Sequence, residues 1–302
     1  MEDTSKYSLS PRASYEWAES SELIQNDSIH IIGFPFDGTA CFRKGAMLGP
    51  DEIRNVSDGI ESFSPYLNKD LENYQNILDL GNLPVPNEIG PEESWYFAVD
   101  SFNKLFKDKN LKQSNIKLLT LGGEHSVSYA PIVKYLEDYS DLLLIHLDAH
   151  ADLRDGYQNF KFSHASIIRR VLDHFSEGQH LAQYGIRSGT AEEFNWMKNN
   201  NSKIESLNEL LLILRELDEE RPIYLTLDLD FFDPSIMPGT GTPEPGGETF
   251  STFIKILKLL DRKNLVGADI VELAPSIDAT GNSSVMATVI MRELLLAMQN
   301  RD

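Results

Sequence analysis

The sequence predicts an α/β protein built on one parallel sheet of about eight strands, with helices covering both faces in a three-layer α/β/α arrangement. Three observations carry this reading. Short apolar runs of strand length alternate along the chain with longer segments of helical spacing. Several of those runs end abruptly in glycine or aspartate. No internal repeat, low-complexity tract or linker divides the 302 residues. Parallel neighbours require a crossover, so sustained alternation implies a single sheet wrapped on both sides.

Residues 1–28 are rich in Ser and Glu and carry Tyr15 and Trp17. They read as an N-terminal arm laid on the surface or on a neighbouring subunit, ahead of a single domain from 29 to 302. Ile29 to Gly33 forms the first strand. A helix then starts at Pro50 with Asp51 and Glu52 in its first turn, where free backbone amides favour acidic residues and a leading proline, and it runs to about Ile60. Asn76 to Leu80 reads as a strand and Glu92 to about Phe106 as a helix. The strand Ile116 to Leu121 leads through Gly122-Gly123-Glu124-His125-Ser126 into a helix with Ile132, Val133 and Leu136 on one face. Leu142 to Leu147 is a buried strand, followed by helix His164 to Phe175, strand His180 to Ile186 and helix Ala191 to Lys198. A short strand near Ile204, helix Asn208 to Leu217 and strand Ile223 to Leu229 come next. Helix Phe250 to Leu260, strand Leu265 to Val271 and a helix from about Ser283 to Met298 complete the pattern.

Composition narrows the function. Hydrophobic residues make up 41% and charged residues 25%, the mix of an ordinary globular core. The formal charge of -20 would repel nucleic acid and anionic membrane surfaces and would welcome a cationic small molecule. Cys41 is the only cysteine, which excludes an intramolecular disulfide and a thiolate zinc cluster and suits a reducing cytosol. No apolar run approaches the roughly 18 residues that span a bilayer, and the N-terminus lacks a signal-peptide core, so a cytoplasmic protein is expected.

The chemistry concentrates at three strand ends. His125 follows one strand, Asp148, His150 and Asp152 another, and Asp228 with Asp230 a third. Open parallel sheets place their sites at the carboxyl edge, so all six fall on one side. On an extended backbone the period of two would turn Asp148, His150 and Asp152 the same way. Four converging carboxylates would repel one another without cations, whereas two divalent ions would neutralise them and share bridging aspartates about 3.5–4 Å apart. Oxygen ligands with two imidazoles and no sulfur suit manganese, with nickel, iron or zinc as substitutes. Such ions would bring a bridging water toward ionisation at neutral pH. His164 and Glu272 are further candidates, although a first-turn histidine and a loop salt bridge fit their local sequence as well. His146 is expected either as a core residue or as a supporting neighbour of the ligands, and His30, His174 and His180 as ordinary surface or packed residues.

Together these residues resemble the ureohydrolase family of arginases and agmatinases, and the agmatinases most. The similarity rests on Gly122-Gly123-Glu124-His125-Ser126, on Asp148-Ala149-His150-Ala151-Asp152 and on Asp228-Leu229-Asp230-Phe231-Phe232-Asp233-Pro234. Phe42-Arg43-Lys44-Gly45, Gly185-Ile186-Arg187-Ser188-Gly189 and the loop from Pro238 to Thr242 extend it from about residue 30 to the C-terminus. The resemblance implies the arginase-like α/β/α fold, two Mn2+ ions per chain and a homo-oligomer, trimer or hexamer. It assigns one ion to His125, Asp148, Asp152 and Asp228, and the other to Asp148, His150, Asp228 and Asp230. It further implies that hydroxide attacks a guanidinium carbon to release urea and an amine. Asp152 would accept the proton, His164 would shuttle it and Glu272 would anchor the guanidinium.

Agmatine, yielding putrescine and urea, leads as substrate on the resemblance to agmatinases. Guanidinobutyrate, guanidine and arginine stand as alternatives. Arg154 occupies a position where the arginase pattern has asparagine, which argues against arginine and would favour a carboxylate tail, while Glu244 would favour an amine tail. A metal-dependent deacetylase would not need Asp152 and Asp230, and an inactive binding homologue would not need the whole ligand set.

Overall fold

Residues 17–86 and 88–299 are described by a computed structural model of the protein. Its strands in chain order are β1 (Glu19–Ser20), β2 (Ile29–Phe34), β3 (Phe63–Ser64), β4 (Lys69–Asp70), β5 (Ile77–Asn82), β6 (Lys117–Gly122), β7 (Leu143–Leu147), β8 (His180–Tyr184), β9 (Lys203–Ile204), β10 (Pro222–Asp228) and β11 (Asn264–Val271). Nine of them form the main sheet in the order β1-β5-β2-β6-β11-β10-β7-β8-β9, while β3 and β4 pair as a small antiparallel ribbon. Every pairing in the main sheet is parallel. All eight expected strands are present. The ninth, β1, pairs through Glu19 and Ser20 with Leu78 and Asp79, next to the buried Trp17 and Ala18. Residues 1–16, with Tyr15, lie outside the described residues.

The strands are apolar because both of their faces are covered. One face packs Ile53 of α1 (Gly49–Ser57), Leu210 and Leu214 of α6 (Leu207–Glu216), Phe253 of α7 (Phe250–Leu260) and Ile290 of α8 (Asn282–Ala297). The other packs Trp95 of α2 (Pro91–Phe106), Ile132 of α3 (Tyr129–Asp138), Ile168 of α4 (Ile167–Leu172) and Met197 of α5 (Ala191–Asn200). Helix starts follow local chemistry. Pro sits in the first turn of α1 and α2, and Thr190 of α5 exchanges hydrogen bonds with Glu193 in a capping box. The helix expected from His164 is shorter than its pattern. Ser163 and Ser166 close a reciprocal cap around a tight turn at His164–Ser166, and α-helix begins only at Ile167.

Strand order positions the site. The four central strands β6, β11, β10 and β7 are consecutive neighbours, so the residues after them, His125, Glu272, Asp228 with Asp230, and Asp148, gather at one carboxyl edge. Beneath that edge the register aligns a polar row across five strands. Thr120 lies beside Asp269, Asp269 beside Thr226, Thr226 beside His146, and His146 beside Gln183. All five are buried.

His30, in β2, has a cleaner role in stability. It is fully buried and its Nε2 accepts a 3.0 Å hydrogen bond from the Gln25 amide. Burial, reinforced by the charge of Lys109, lowers its pKa from 6.5 to about 4. Between those values the unfolded chain takes up a proton that the folded chain refuses, so His30 makes stability fall as pH drops from about 6.5 to about 4. Its contribution to that loss is about 3 kcal/mol. Denaturant unfolding should therefore show a smaller acid-induced loss for His30→Gln than for the wild type; parallel pH profiles would remove His30 as the cause.

Candidate metal centre

The candidate ligands are aimed by short-range backbone chemistry. Asp148 and Asp228 each spend one carboxylate oxygen on the amide two residues ahead, Oδ1 of Asp148 on His150 at 2.5 Å and Oδ1 of Asp228 on Asp230 at 2.9 Å. These turns stop the strands, and they leave the second oxygen of each aspartate facing the cluster. Asp230 is fixed in turn by the Ala149 amide, 3.1 Å from its Oδ1.

Two groups result, joined by Asp148. On one side His125 Nδ1 lies 3.0 Å from Asp148 Oδ2, 3.0 Å from Asp152 Oδ2 and 3.4 Å from Asp228 Oδ2. On the other, His150 Nδ1 lies 3.0 Å from Asp230 Oδ2 and 3.6 Å from Asp148 Oδ1. The structure thus brings all six sequence-predicted ligands together. It does so differently from the extended run expected after β7. The strand ends at Leu147, and Asp152 takes a left-handed backbone with φ 54, so Asp152 turns toward His125 while His150 turns toward Asp230.

The donor set fits divalent cations. Inside the cluster, burial and the charge of Asp148 raise the carboxyl of Asp152, and burial with Asp230 and Asp148 raises that of Asp228 well above the carboxylate range. Burial acts upward on Asp148 too, but the surrounding imidazoles, His146 first, hold it well below its usual range. Burial opposes charge on His125 and His150, yet the aspartates raise both. With no cation to face, the cluster would need protons between these oxygens and nitrogens. His125 Nδ1 is moreover buried without a hydrogen-bond partner of acceptable geometry.

His146 lies within reach of the same group, but its bonds give it another task. Its Nε2 donates to Asp148 Oδ2 at 2.7 Å, and its Nδ1 accepts from Gln183 Nε2 at 3.1 Å. Both nitrogens are occupied, so His146 orients Asp148, in keeping with the neighbour expected from sequence.

A cavity of about 160 Å³ opens onto the centre, lined by His125, His150, Asp152, Asp228, His164 and Glu272 among others. Glu272 Oε1 accepts the His125 amide at 2.9 Å, and its backbone is left-handed with φ 67. Burial and then Glu124 raise its carboxyl well above the usual range. His164 Nδ1 stands 3.9 Å from Glu124 Oε2. Burial, then the neighbouring His150 and His125, lowers His164 to about 4 and so keeps its imidazole neutral near pH 7. Arg154 borders the cavity with its guanidinium 4.6 Å over the Tyr157 ring and its Nε 3.7 Å from Glu193 Oε2. Glu244 Oε1 accepts from Ser188 Oγ at 2.8 Å and lies 3.7 Å from His150 Nε2.

Several residues around the site escaped the sequence reading. Glu124 lies inside the Gly122-Gly123-Glu124-His125-Ser126 motif, where its Oε1 accepts from Thr39 Oγ1 at 2.6 Å and Ser126 Oγ at 2.7 Å, and burial raises its pKa to about 7. Gln183, Thr226 and Asp269 are single polar residues inside apolar strands, and only the register reveals their connection.

Fold and centre define a class: a doubly covered parallel-sheet protein with a buried carboxylate and imidazole centre suited to two cations. The chain belongs to the arginase family, whose sequence profile matches residues 27–297. It is 38% identical over 284 residues to an agmatinase of Bacillus anthracis, covering 92% of this chain and 94% of that one. It is likewise 38% identical over 287 residues to an agmatinase of Bacillus subtilis, covering 93% of each. Among solved structures, proclavaminate amidino hydrolase from Streptomyces clavuligerus superposes with a TM-score of 0.82 at 25% identity, over 97% of this chain and 99% of that one.

Cations that bind only the folded centre stabilise it by mass action. Removing divalent ions with a chelator should lower the melting temperature by several degrees, and adding Mn2+ back should restore it. Identical melting curves before and after chelation would contradict the centre.

Proposed function

We propose that the protein hydrolyses a cationic guanidino compound to urea and an amine, with agmatine, giving putrescine, as the leading substrate. The observation that carries this reading is the Glu272 carboxylate at the edge of a buried two-part cluster of aspartates and histidines, inside a cavity too small for a macromolecule. Sequence identity to agmatinases over most of the chain supports the same chemistry.

In this reading His125, Asp148, Asp152 and Asp228 hold one ion, and Asp148, His150, Asp228 and Asp230 hold the other; Mn2+ is proposed for both. Two divalent ions bound here supply a nucleophile from water at neutral pH. The remaining work belongs to side chains. Glu272 keeps Oε1 on the His125 amide and offers Oε2 to the guanidinium, whose positive charge counters the burial that raises this carboxyl and whose central carbon is thereby turned toward the cluster. Asp152 takes the proton released as water attacks. Both protons of the attacking water end on the departing nitrogen: Asp152 passes on the one it took, and neutral His164 relays the other from the hydroxyl as the carbonyl of urea forms, so the amine leaves as ammonium.

The outer wall favours an amine tail. Arg154 is offset by Glu193 and stacked on Tyr157, whereas Glu244 adds a second carboxylate beside His150. With Arg154 offset by Glu193, the Glu244 carboxylate bound to Ser188 of the lining leaves this side negative. An oligomeric, cytoplasmic enzyme completes the proposal, on the family resemblance and on the composition.

Urea release measured across agmatine, guanidinobutyrate, arginine and guanidine should be greatest with agmatine. Higher kcat/KM for guanidinobutyrate would reverse the tail assignment, and no urea from any of them would refute the hydrolase reading. Glu272→Gln keeps the acceptor for the His125 amide but removes the charge. A charge-assisted pair is worth about 1.5–3 kcal/mol, so kcat/KM should fall by roughly one to two decades while two ions per chain are retained. Near-normal efficiency, or loss of an ion, would show that Glu272 has another role.

A further inference from the structure

A continuous hydrogen-bonded chain passes through the polar row beneath the centre, and its direction can be read. Tyr224 OH donates to Asp269 Oδ2 at 2.9 Å, and Thr226 Oγ1 donates to Asp269 Oδ1 at 2.8 Å. Thr226 Oγ1 also lies 2.9 Å from His125 Nε2. A threonine hydroxyl has one hydrogen. Because Thr226 gives that hydrogen to Asp269, its oxygen can only accept from His125, so Nε2 carries the imidazole proton. In the neutral imidazole Nδ1, 3.0 to 3.4 Å from the oxygens of Asp148, Asp152 and Asp228, then keeps its lone pair directed toward them.

We propose that Thr226 and Asp269 are positioning residues for the cation site. They fix His125 in the Nε2–H form, so that Nδ1 faces the carboxylates as a donor atom for a metal ion. The inference rests on the metal-centre reading above. Three geometric facts support it. Thr226, Asp269 and Tyr224 are all buried, so water does not compete for their bonds. Thr226 and Asp269 are direct partners across β10 and β11, so the parallel register itself holds them side by side. On the other side of Thr226, His146 is also fixed through both ring nitrogens, but with Nε2–H turned on Asp148. The same row therefore prepares one histidine to bind a cation and the other to orient a carboxylate.

The contribution of the hydroxyl separates from that of packing. Thr226→Val keeps the shape and deletes both hydrogen bonds, whereas Thr226→Ser keeps the hydroxyl and deletes a methyl group. Calorimetric titration of the cation-stripped full chain with Mn2+ should show two ions bound by the wild type and by Thr226→Ser. Thr226→Val should bind one of the two roughly 10–100-fold more weakly and the other within about threefold of wild type. Asp269→Asn tests the relay independently of Thr226. Its amide can donate to the threonine oxygen and release the hydroxyl hydrogen toward His125, so the same ion should again be weakened. A role in packing alone would give the opposite order, with valine tolerated and serine impaired. Unchanged binding of both ions by Thr226→Val and Asp269→Asn, or equal weakening in Thr226→Ser and Thr226→Val, would overturn the inference. Failure of the wild type to bind two ions would instead overturn the metal-centre reading, and this inference with it.

Discussion

Mutual repulsion among buried carboxylates is the constraint on which the rest of this structure depends. Asp148, Asp152, Asp228 and Asp230 stand within a few ångströms of two imidazoles, and all four are buried. Confining like charges out of water is costly unless cations or protons intervene. The fold answers with adjacency. Placing β6, β11, β10 and β7 next to one another lets each strand contribute its own carboxylate or imidazole, so no single loop must carry all the negative charge.

The same arrangement explains why the site is precise although its residues lie on turns. Asp148 and Asp228 cap the turns that follow their own strands, so the hydrogen bond that ends each strand also orients its carboxylate. Glu272 is tied to the His125 amide, which joins the end of β11 to the end of β6. Below them, Gln183 holds His146 while Ser202 Oγ donates to Gln183 Oε1 at 3.0 Å, so the support extends to the segment before β9. Buried polar networks of this kind specify geometry when every member is satisfied.

Much of this was legible in the sequence because it is local. Apolar runs located the eight main strands, and the acidic and histidine clusters after them marked the edge where carboxylates and imidazoles gather. Strand pairing is not local. The order that makes β6, β11, β10 and β7 neighbours, and the register that sets Asp269 beside Thr226, depend on contacts between residues far apart in the chain. A lone Thr, Asp or Gln in an apolar strand therefore looks like a tolerated exception until its cross-strand partner is known. β1 was hidden for another reason, since Glu19–Ser20 is a polar, exposed two-residue edge with no alternation to detect. Asp152 joins the cluster by a route that the sequence pattern did not reveal, because a left-handed residue breaks the two-residue period that extended backbone would impose.

That left-handed backbone points to a trade between stability and function. Asp152 and Glu272 adopt φ 54 and φ 67, a region that suits glycine or asparagine better than these side chains and that costs on the order of 1 kcal/mol or more at each. Both are pinned by main-chain bonds, with the Arg169 amide on the Asp152 carbonyl at 3.1 Å and the Glu272 amide on the Gly123 carbonyl at 2.8 Å. Glycine would relieve the backbone at either position but would delete a carboxylate that lines the cavity. The chain thus keeps charge where the backbone alone would prefer none. The two bends serve opposite ends of the proposed reaction: one turns Asp152 toward the cation cluster, and the other seats Glu272 where a guanidinium would be held against it.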